Sequence, residues 1–335
     1  MSSAPTPEEI ARDATWLAQA LDPSAGNVRL IAMDRESYRA ASFLDDRMLQ
    51  QPVDAQVMSW SAIEGAITDD LRSDARWIFH IGHVGSTLLS RLLGELDGVL
   101  AIREPRLLRD VALAPLAVRE GYIGAISPLM SRTFAGEELA CLKATSWVSE
   151  IAPQLVPSGE RALLMFAKPR NYIATILAGE NSVKEQRMLA ATRAQRLSRR
   201  VSTLGAAHND AELAAIAWAC EMTSLENAAD GMADRKIAWL DFDQMLADVA
   251  EALRLTADHF GFRVDEPQLR ALAGGPLMSR YSKALEYDYS PSLRGELIEE
   301  SERLQGAEIE SALAMLRSAA EKSPLLARAL ARAEG

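Results

Sequence analysis

The run WIFHIGHVGSTLLSRLL, Trp77 to Leu93, holds the residues best suited to chemistry in this chain. An apolar strand pattern gives way to two glycines, Gly82 and Gly85, and then to a hydroxyl pair, Ser86 and Thr87, where a helical pattern begins. Glycines let the backbone turn tightly and approach an anion. The first amides of a helix point outward without intrahelical acceptors and carry the positive end of the helix dipole. Such a strand, loop and helix make a cradle for phosphate or sulfate, with Gly82, His83, Val84, Gly85, Ser86, Thr87 and Leu88 as its expected binding residues. The nucleotide-triphosphatase form, G-x-x-x-x-G-K-[ST], has a Lys that reaches the terminal phosphates and a hydroxyl that holds magnesium. Ser86 stands where that Lys would be, so the loop suits a 5′-phosphate or a sulfate better than a magnesium nucleotide whose last phosphoryl group must be clamped. The plainer alternative is a glycine turn between a core strand and an amphipathic helix whose Leu88, Leu89, Leu92 and Leu93 face a sheet. Paired hydroxyls are more than such a turn requires.

The elements that would position this loop follow from the pattern downstream of Arg76. Short apolar runs at 77–81, 99–102, 140–144, 162–167 and 236–240 alternate with helical periods, which predicts an α/β fold: a three-layer, doubly wound parallel sheet of about five strands. Helical segments are expected at 87–96, 107–130, 149–155, 171–200, 210–229 and 243–260. Residues 1–75 read as a helical preface, with an amphipathic helix over Ile10 to Leu21, an apolar stretch over Val28 to Met33 and helical pieces at 42–49 and 63–71. Residues 76–335 form the main domain, closing with a helical tail from Gly295. Ligands of open parallel sheets sit at the carboxyl ends of the strands. There the chain carries GHVGST, REPR, KATSW, KPRNY and DFDQM, and four of these five segments hold a cation or the glycine loop.

Composition narrows the partners. Lys and Arg number 36 against 47 Asp and Glu, a net charge of −11, so nucleic acid is not expected and an anionic ligand needs a local basic site. The N-terminus is polar and acidic and no segment approaches a membrane span, so neither a secretory signal nor a membrane partner is expected and the reading is cytoplasmic. Cys141 and Cys220 lie in apolar contexts as core thiols. The four histidines, His80, His83, His208 and His259, contain no H-x-x-x-H pair, so no metal site is expected.

Taken together, three motifs resemble the sulfotransferases that use 3′-phosphoadenosine 5′-phosphosulfate. GHVGSTLL is similar to that family's phosphosulfate loop P-[KR]-S-G-T-T-x-L, with Gly85, Ser86 and Thr87 on its G-T-T. LKATSWVSEIAPQLVPSGERALLMFAKPRNYIAT follows the family's order of strand ending in Lys, short helix, strand and R-x-P-[RK]-[DN]-x-x-x-S. KIAWLDFDQMLADVAEALRLTADHFGF is similar to its last strand, turn and helix, so the likeness spans roughly residues 76–265. The sequence departs from the family at His83, where the loop has Lys or Arg, at Ala167, where the Arg that grips the 3′-phosphate stands, and at Ala144–Thr145, where cytosolic members have Thr-His.

The resemblance implies a P-loop-type fold, 3′-phosphoadenosine 5′-phosphosulfate as donor, no metal, and transfer of the sulfuryl group to a hydroxyl or amine of a small-molecule or glycan acceptor. Holding the partners in line, neutralising the leaving phosphate and removing one proton are the tasks left to the protein. Glu104, which ends the second strand beside the loop, is the expected base, with His83 as the second candidate and Lys143 as the cation at the leaving group. Glu104 pairing with Arg103 or Arg106 at the surface is the plainer alternative. Lys168 or Arg170, with Thr175 and the basic, aromatic segment around Arg280, Tyr281, Ser282 and Lys283, is expected to replace the missing 3′-phosphate grip. Segments 107–138 and 180–210 are the expected acceptor walls; acceptor identity and oligomeric state stay open at this level. The competing functions are a small-molecule kinase, for which Asp241 is the one candidate metal ligand, and a non-catalytic nucleotide-binding protein.

Overall fold

The computed structural model describes residues 4–279 and 290–335. Among them the apolar runs form the strands β1 (Trp16–Asp22), β2 (Asn27–Ala32), β3 (Ala55–Ser59), β4 (Arg76–His80), β5 (Val99–Arg103), β6 (Leu139–Lys143), β7 (Arg161–Phe166) and β8 (Lys236–Asp241). The last five make one parallel sheet in the order β5-β6-β4-β7-β8, and each starts within a residue of the run that predicts it. Central β4 is buried on both faces, as a near-continuous apolar strand between two helical layers must be. From β4 the chain goes to the edge strand β5, returns through β6, and crosses to β7 and β8 on the other side. The winding direction therefore reverses at β4, the strand that carries the glycine loop.

Two long helical predictions are each a pair of helices. Ala114–Pro115 divides the region after β5 into Arg106–Leu113 and Leu116–Met130, and Gly179 divides the region after β7 into Pro169–Leu177 and Glu180–Ser198. Helix Asp210–Asp230 is buried over most of its surface beneath Pro291–Ala320 and Pro324–Glu334.

The N-terminal region corrects the expectation of a helical preface, and the apolar stretch at Val28 to Met33 within it is a strand. A helix covers only Pro7–Arg12, and the chain then enters β1, which pairs with β2, itself paired with β3, in an antiparallel sheet. β1 is buried at every residue but Asp22, so it lacks the alternation that marks a half-exposed strand and its apolar run reads as a helix. The signal that separates the two is the turn DPSAGN: Asp22 accepts from the amide and hydroxyl of Ser24, and Gly26 sits at φ 63°. The pieces expected at 42–49 and 63–71 are a 3₁₀ turn, Asp46–Gln50, and a helix, Trp60–Ala66.

Buried arginines fasten this region to the sheet. Arg103, at the end of β5, is 1% exposed and donates to the carbonyls of Tyr38, Arg39 (3.1 Å) and Ala41 (2.7 Å). Arg132 donates to the carbonyls of Ile10, Asp13, Trp16 and Leu129. The apolar core is continuous from Ile10 and Leu17 through β4 to Leu316. No helix among the described residues is long and apolar enough to cross a membrane.

Candidate active site

The glycine loop owes its shape to three left-handed residues. Gly82 (φ 80°), His83 (φ 54°) and Gly85 (φ 62°) fold the chain back after β4, and Gly85 is the N-cap of helix Ser86–Leu93. Gly82 donates its amide to His80 Nδ1 at 2.9 Å. Gly85 also has no room for a side chain: a Cβ there would stand 2.0 Å from the Phe242 ring. Thr87 is buried, and its Oγ1 has no hydrogen-bond partner among the described residues. An orphaned buried hydroxyl beside first-turn amides is the donor set of an anion site.

Beside the loop stands a buried carboxylate held by cations. β5 and β6 run parallel with Arg103 opposite Lys143, and the Glu104 amide donates to the Lys143 carbonyl at 2.8 Å, so the two side chains meet past the sheet edge. Lys143, 1% exposed, donates its Nζ to Glu104 Oε1. Arg47 Nη2 lies 3.3 Å from Glu104 Oε2, and His80 Nε2 lies 3.8 Å from Oε1. The Phe43 ring closes the group from the preface, under Arg47 at 3.2 Å and Lys143 at 5.5 Å from its centroid. Among the described residues His83 and Glu104 are the two non-glycines in left-handed backbone. That conformation costs on the order of 1–2 kcal/mol for a residue with a Cβ, and such strain concentrates at functional sites. His83 Nε2 faces Glu185 Oε2 at 3.6 Å, across from helix Glu180–Ser198.

Loop and carboxylate share one cavity of about 850 Å³. Its wall includes all seven expected loop residues, Gly82 through Leu88, together with Glu104, Lys143 and Thr175. Lys168 and Arg170 lie outside it: Lys168 is the exposed N-cap of helix Pro169–Leu177, and Arg170 pairs with Glu302 and Glu310 of the C-terminal helix. Ala167 is buried and its carbonyl accepts from Trp218 Nε1 at 2.9 Å. Arg280, Tyr281, Ser282 and Lys283, expected at the 3′-phosphate, lie outside the described residues.

The wall also contains residues that the motifs do not single out. Arg294, in the first turn of helix Pro291–Ala320, donates to Asp243 Oδ1 at 2.7 Å and lies over the Phe242 ring. Its Nε and Nη2 are buried with no hydrogen-bond partner among the described residues. Thr175 Oγ1 is in the same condition. Thr87, Thr175 and Arg294, from three distant stretches of chain, thus all belong to the wall of one cavity, and each carries a buried donor without a partner among the described residues. The signal for Arg294 was its place in a basic, tyrosine-rich segment. Trp147, also in the wall, lies in the strand-end segment KATSW and Arg193 in the expected acceptor wall 180–210, whereas Phe43 had no local signal. Asp241 is buried outside the wall and accepts from the Asp243 amide at 2.8 Å as a helix cap, with burial raising its pKa. No group of three or more His, Cys, Asp or Glu side chains placed to hold a metal occurs among the described residues.

A parallel, doubly wound sheet whose central strand opens through a glycine loop into a helix defines an α/β protein of P-loop-type fold. No protein-family model and no curated protein matches the chain. Among solved structures it is similar to the sulfotransferase domain from the curacin biosynthetic pathway (12% identity, 65% of this chain and 83% of that one, TM-score 0.42). It is similar also to the sulfotransferase domain of the Synechococcus PCC 7002 olefin synthase (16% identity, 68% and 86%, TM-score 0.39). A third likeness is to mouse sulfotransferase SULT7A1 complexed with PAP (11% identity, 78% and 89%, TM-score 0.40).

Proposed function

We propose that the protein is a sulfotransferase that takes 3′-phosphoadenosine 5′-phosphosulfate as donor and a hydroxyl- or amine-bearing molecule as acceptor. The observation that carries this reading is the convergence of a lysine-free glycine loop, a strained buried Glu104 and orphaned donors from Thr87, Thr175 and Arg294 on one cavity. A loop without Lys and a wall without Asp241 are poor material for magnesium-dependent phosphoryl transfer.

The donor residues divide by phosphate. Loop amides from Gly82 to Leu88 with Ser86 and Thr87 hold the 5′-phosphosulfate, while Thr175 and Arg294 hold the 3′-phosphate in place of the family's Arg, whose position here is Ala167. The acceptor oxygen or nitrogen attacks sulfur, the bond from sulfur to the bridging phosphate oxygen breaks, and adenosine 3′,5′-bisphosphate leaves. Glu104 takes the acceptor proton. Lys143 has three N–H donors, enough to orient Glu104 and also stabilise charge on the leaving oxygen, and His83 stands in the loop as a second donor.

Titration calorimetry with adenosine 3′,5′-bisphosphate tests the reading. Binding that survives a chelator is expected, and joint replacement of Ser86 and Thr87 by Ala should weaken it by about 1–3 kcal/mol per lost charged hydrogen bond. Binding of magnesium-ATP alone would point to the kinase, and binding of neither ligand to a protein that has no such site.

A further inference from the structure

The cavity wall carries six lysines and arginines: Arg47, Arg106, Arg109, Lys143, Arg193 and Arg294. Five of them face a carboxylate. Arg47 pairs with Asp45, Arg106 with Asp46 and Asp110, Lys143 with Glu104, Arg193 with Glu221, and Arg294 with Asp243. Arg109 is half-buried in that wall and has no hydrogen-bond or ion-pair partner among the described residues. An arginine with its planar fork left open in a partly desolvated wall is matched to a carboxylate, which it can hold with two parallel bonds.

The surroundings of Arg109 describe the remainder of the ligand. One turn further along helix Arg106–Leu113, Leu113 turns toward the cavity yet is 56% exposed, and Met188 of helix Glu180–Ser198, also in the wall, is 75% exposed. Leu293 (40% exposed) and Leu297 (47% exposed) line the same cavity, so four exposed large apolar side chains gather on one wall, a grouping that scattered surface residues do not make and that marks a binding surface. Arg109 lies four residues past Pro105, about 6 Å along the helix at 1.5 Å per residue, from the end of β5 that presents Glu104.

On the reading of the site as a sulfotransferase, we infer that the acceptor is an amphipathic hydroxy acid. Its carboxylate docks on Arg109, its apolar chain lies between Leu113 and Met188, and its hydroxyl reaches Glu104. Arg109 is then the residue that sets acceptor specificity. It takes no part in donor binding or proton transfer.

The test is calorimetry on the full chain saturated with adenosine 3′,5′-bisphosphate, with 8-hydroxyoctanoate and 1-octanol as probes. The acid should bind the unaltered protein about 10- to 100-fold more tightly than the alcohol, from one charge-assisted contact. Arg109→Ala should remove that advantage and leave the alcohol and the bisphosphate binding as before, whereas Leu113→Asp should weaken both probes. Equal affinity for the two probes, no binding of either, or an Arg109→Ala effect shared equally by both would overturn the inference. The donor reading fails separately: the bisphosphate would not bind, while an Arg109-dependent preference for the acid would persist in its absence.

Discussion

At the scale of single residues, the site is held by positions where one substitution changes the outcome sharply. Gly85 combines φ 62° with contact against Phe242, so Gly85→Ala meets backbone strain of about 1–2 kcal/mol and also overlaps an aromatic ring. Gly82 has φ 80° but open space around its Cβ direction. Thermal unfolding should show Gly85→Ala clearly less stable than Gly82→Ala, and calorimetry should show it alone losing the bisphosphate. Equal behaviour of the two would mean that Phe242 does not shape the loop. Glu104 makes a different prediction, because its partner Lys143 is fully buried. Glu104→Gln takes away the carboxylate facing that ammonium, at a cost of about 3 kcal/mol, and should lower turnover about 100- to 10,000-fold with little change in bisphosphate affinity. The double variant with Lys143→Met should be more stable than Glu104→Gln alone in chemical denaturation. If it is less stable, the pair is not coupled as described.

At the scale of elements, the strands and the loop were legible in the sequence because buried parallel strands are short apolar runs and a glycine loop before a helix has a local signature. Glu104 and Lys143 could be placed near each other because both end neighbouring strands. Lys168 and Arg170 mislead for the opposite reason. Nothing local tells that Glu302 and Glu310, more than 130 residues on, come to engage Arg170, or that the first turn of that same C-terminal helix brings Arg294 to the cavity. On the proposed donor reading, this helix contributes one phosphate contact. Arg294→Ala should raise the Kd for adenosine 3′,5′-bisphosphate about tenfold or more and leave that for adenosine 5′-monophosphate nearly unchanged, a difference calorimetry reads directly. A parallel loss for both nucleotides would put Arg294 near the 5′ end instead. Nearby, Glu150 of the 3₁₀ segment Ser146–Ile151 accepts from Arg196 at 2.8 Å and Arg200 at 2.9 Å, locking helix Glu180–Ser198 behind the cavity. Burial raises the Glu150 pKa, but the two guanidiniums outweigh it and the net shift is downward. A carboxyl depressed in the folded state stabilises the fold above its unfolded pKa and loses that contribution as pH falls through the folded value. Glu150→Gln should therefore flatten the acid limb of stability measured by urea denaturation between about pH 5 and pH 3, and an unchanged slope would rule the clamp out.

At the scale of the whole molecule, the N-terminal region is bound into the core of the parallel sheet, and β5 is where the two join. Its last residue, Arg103, reaches across to three carbonyls of the segment Tyr38–Ala41, and the next, Glu104, belongs to the cavity; Phe43 and Arg47, just beyond that segment, complete the cavity wall. The preface therefore supplies part of the site, which composition and periodicity had no means to reveal, since the contacts join residues about 60 apart. Burial lowers the Arg103 pKa to about 9, which leaves the guanidinium charged at neutral pH and dependent on those carbonyls for its solvation. Replacing it with Met removes the charge but strands the buried Tyr38 carbonyl, at about 1–3 kcal/mol, and takes the donor from the part-buried carbonyls of Arg39 and Ala41. Arg103→Met should thus lose several kcal/mol in chemical denaturation. Because the apolar core runs unbroken from Ile10 through β4, tryptophan fluorescence and far-UV circular dichroism should still report one coincident transition. Two separated transitions, with the N-terminal tryptophans Trp16 and Trp60 melting first, would show instead that the preface folds as its own unit and that the wall built by Phe43 and Arg47 can come away from the sheet without unfolding it.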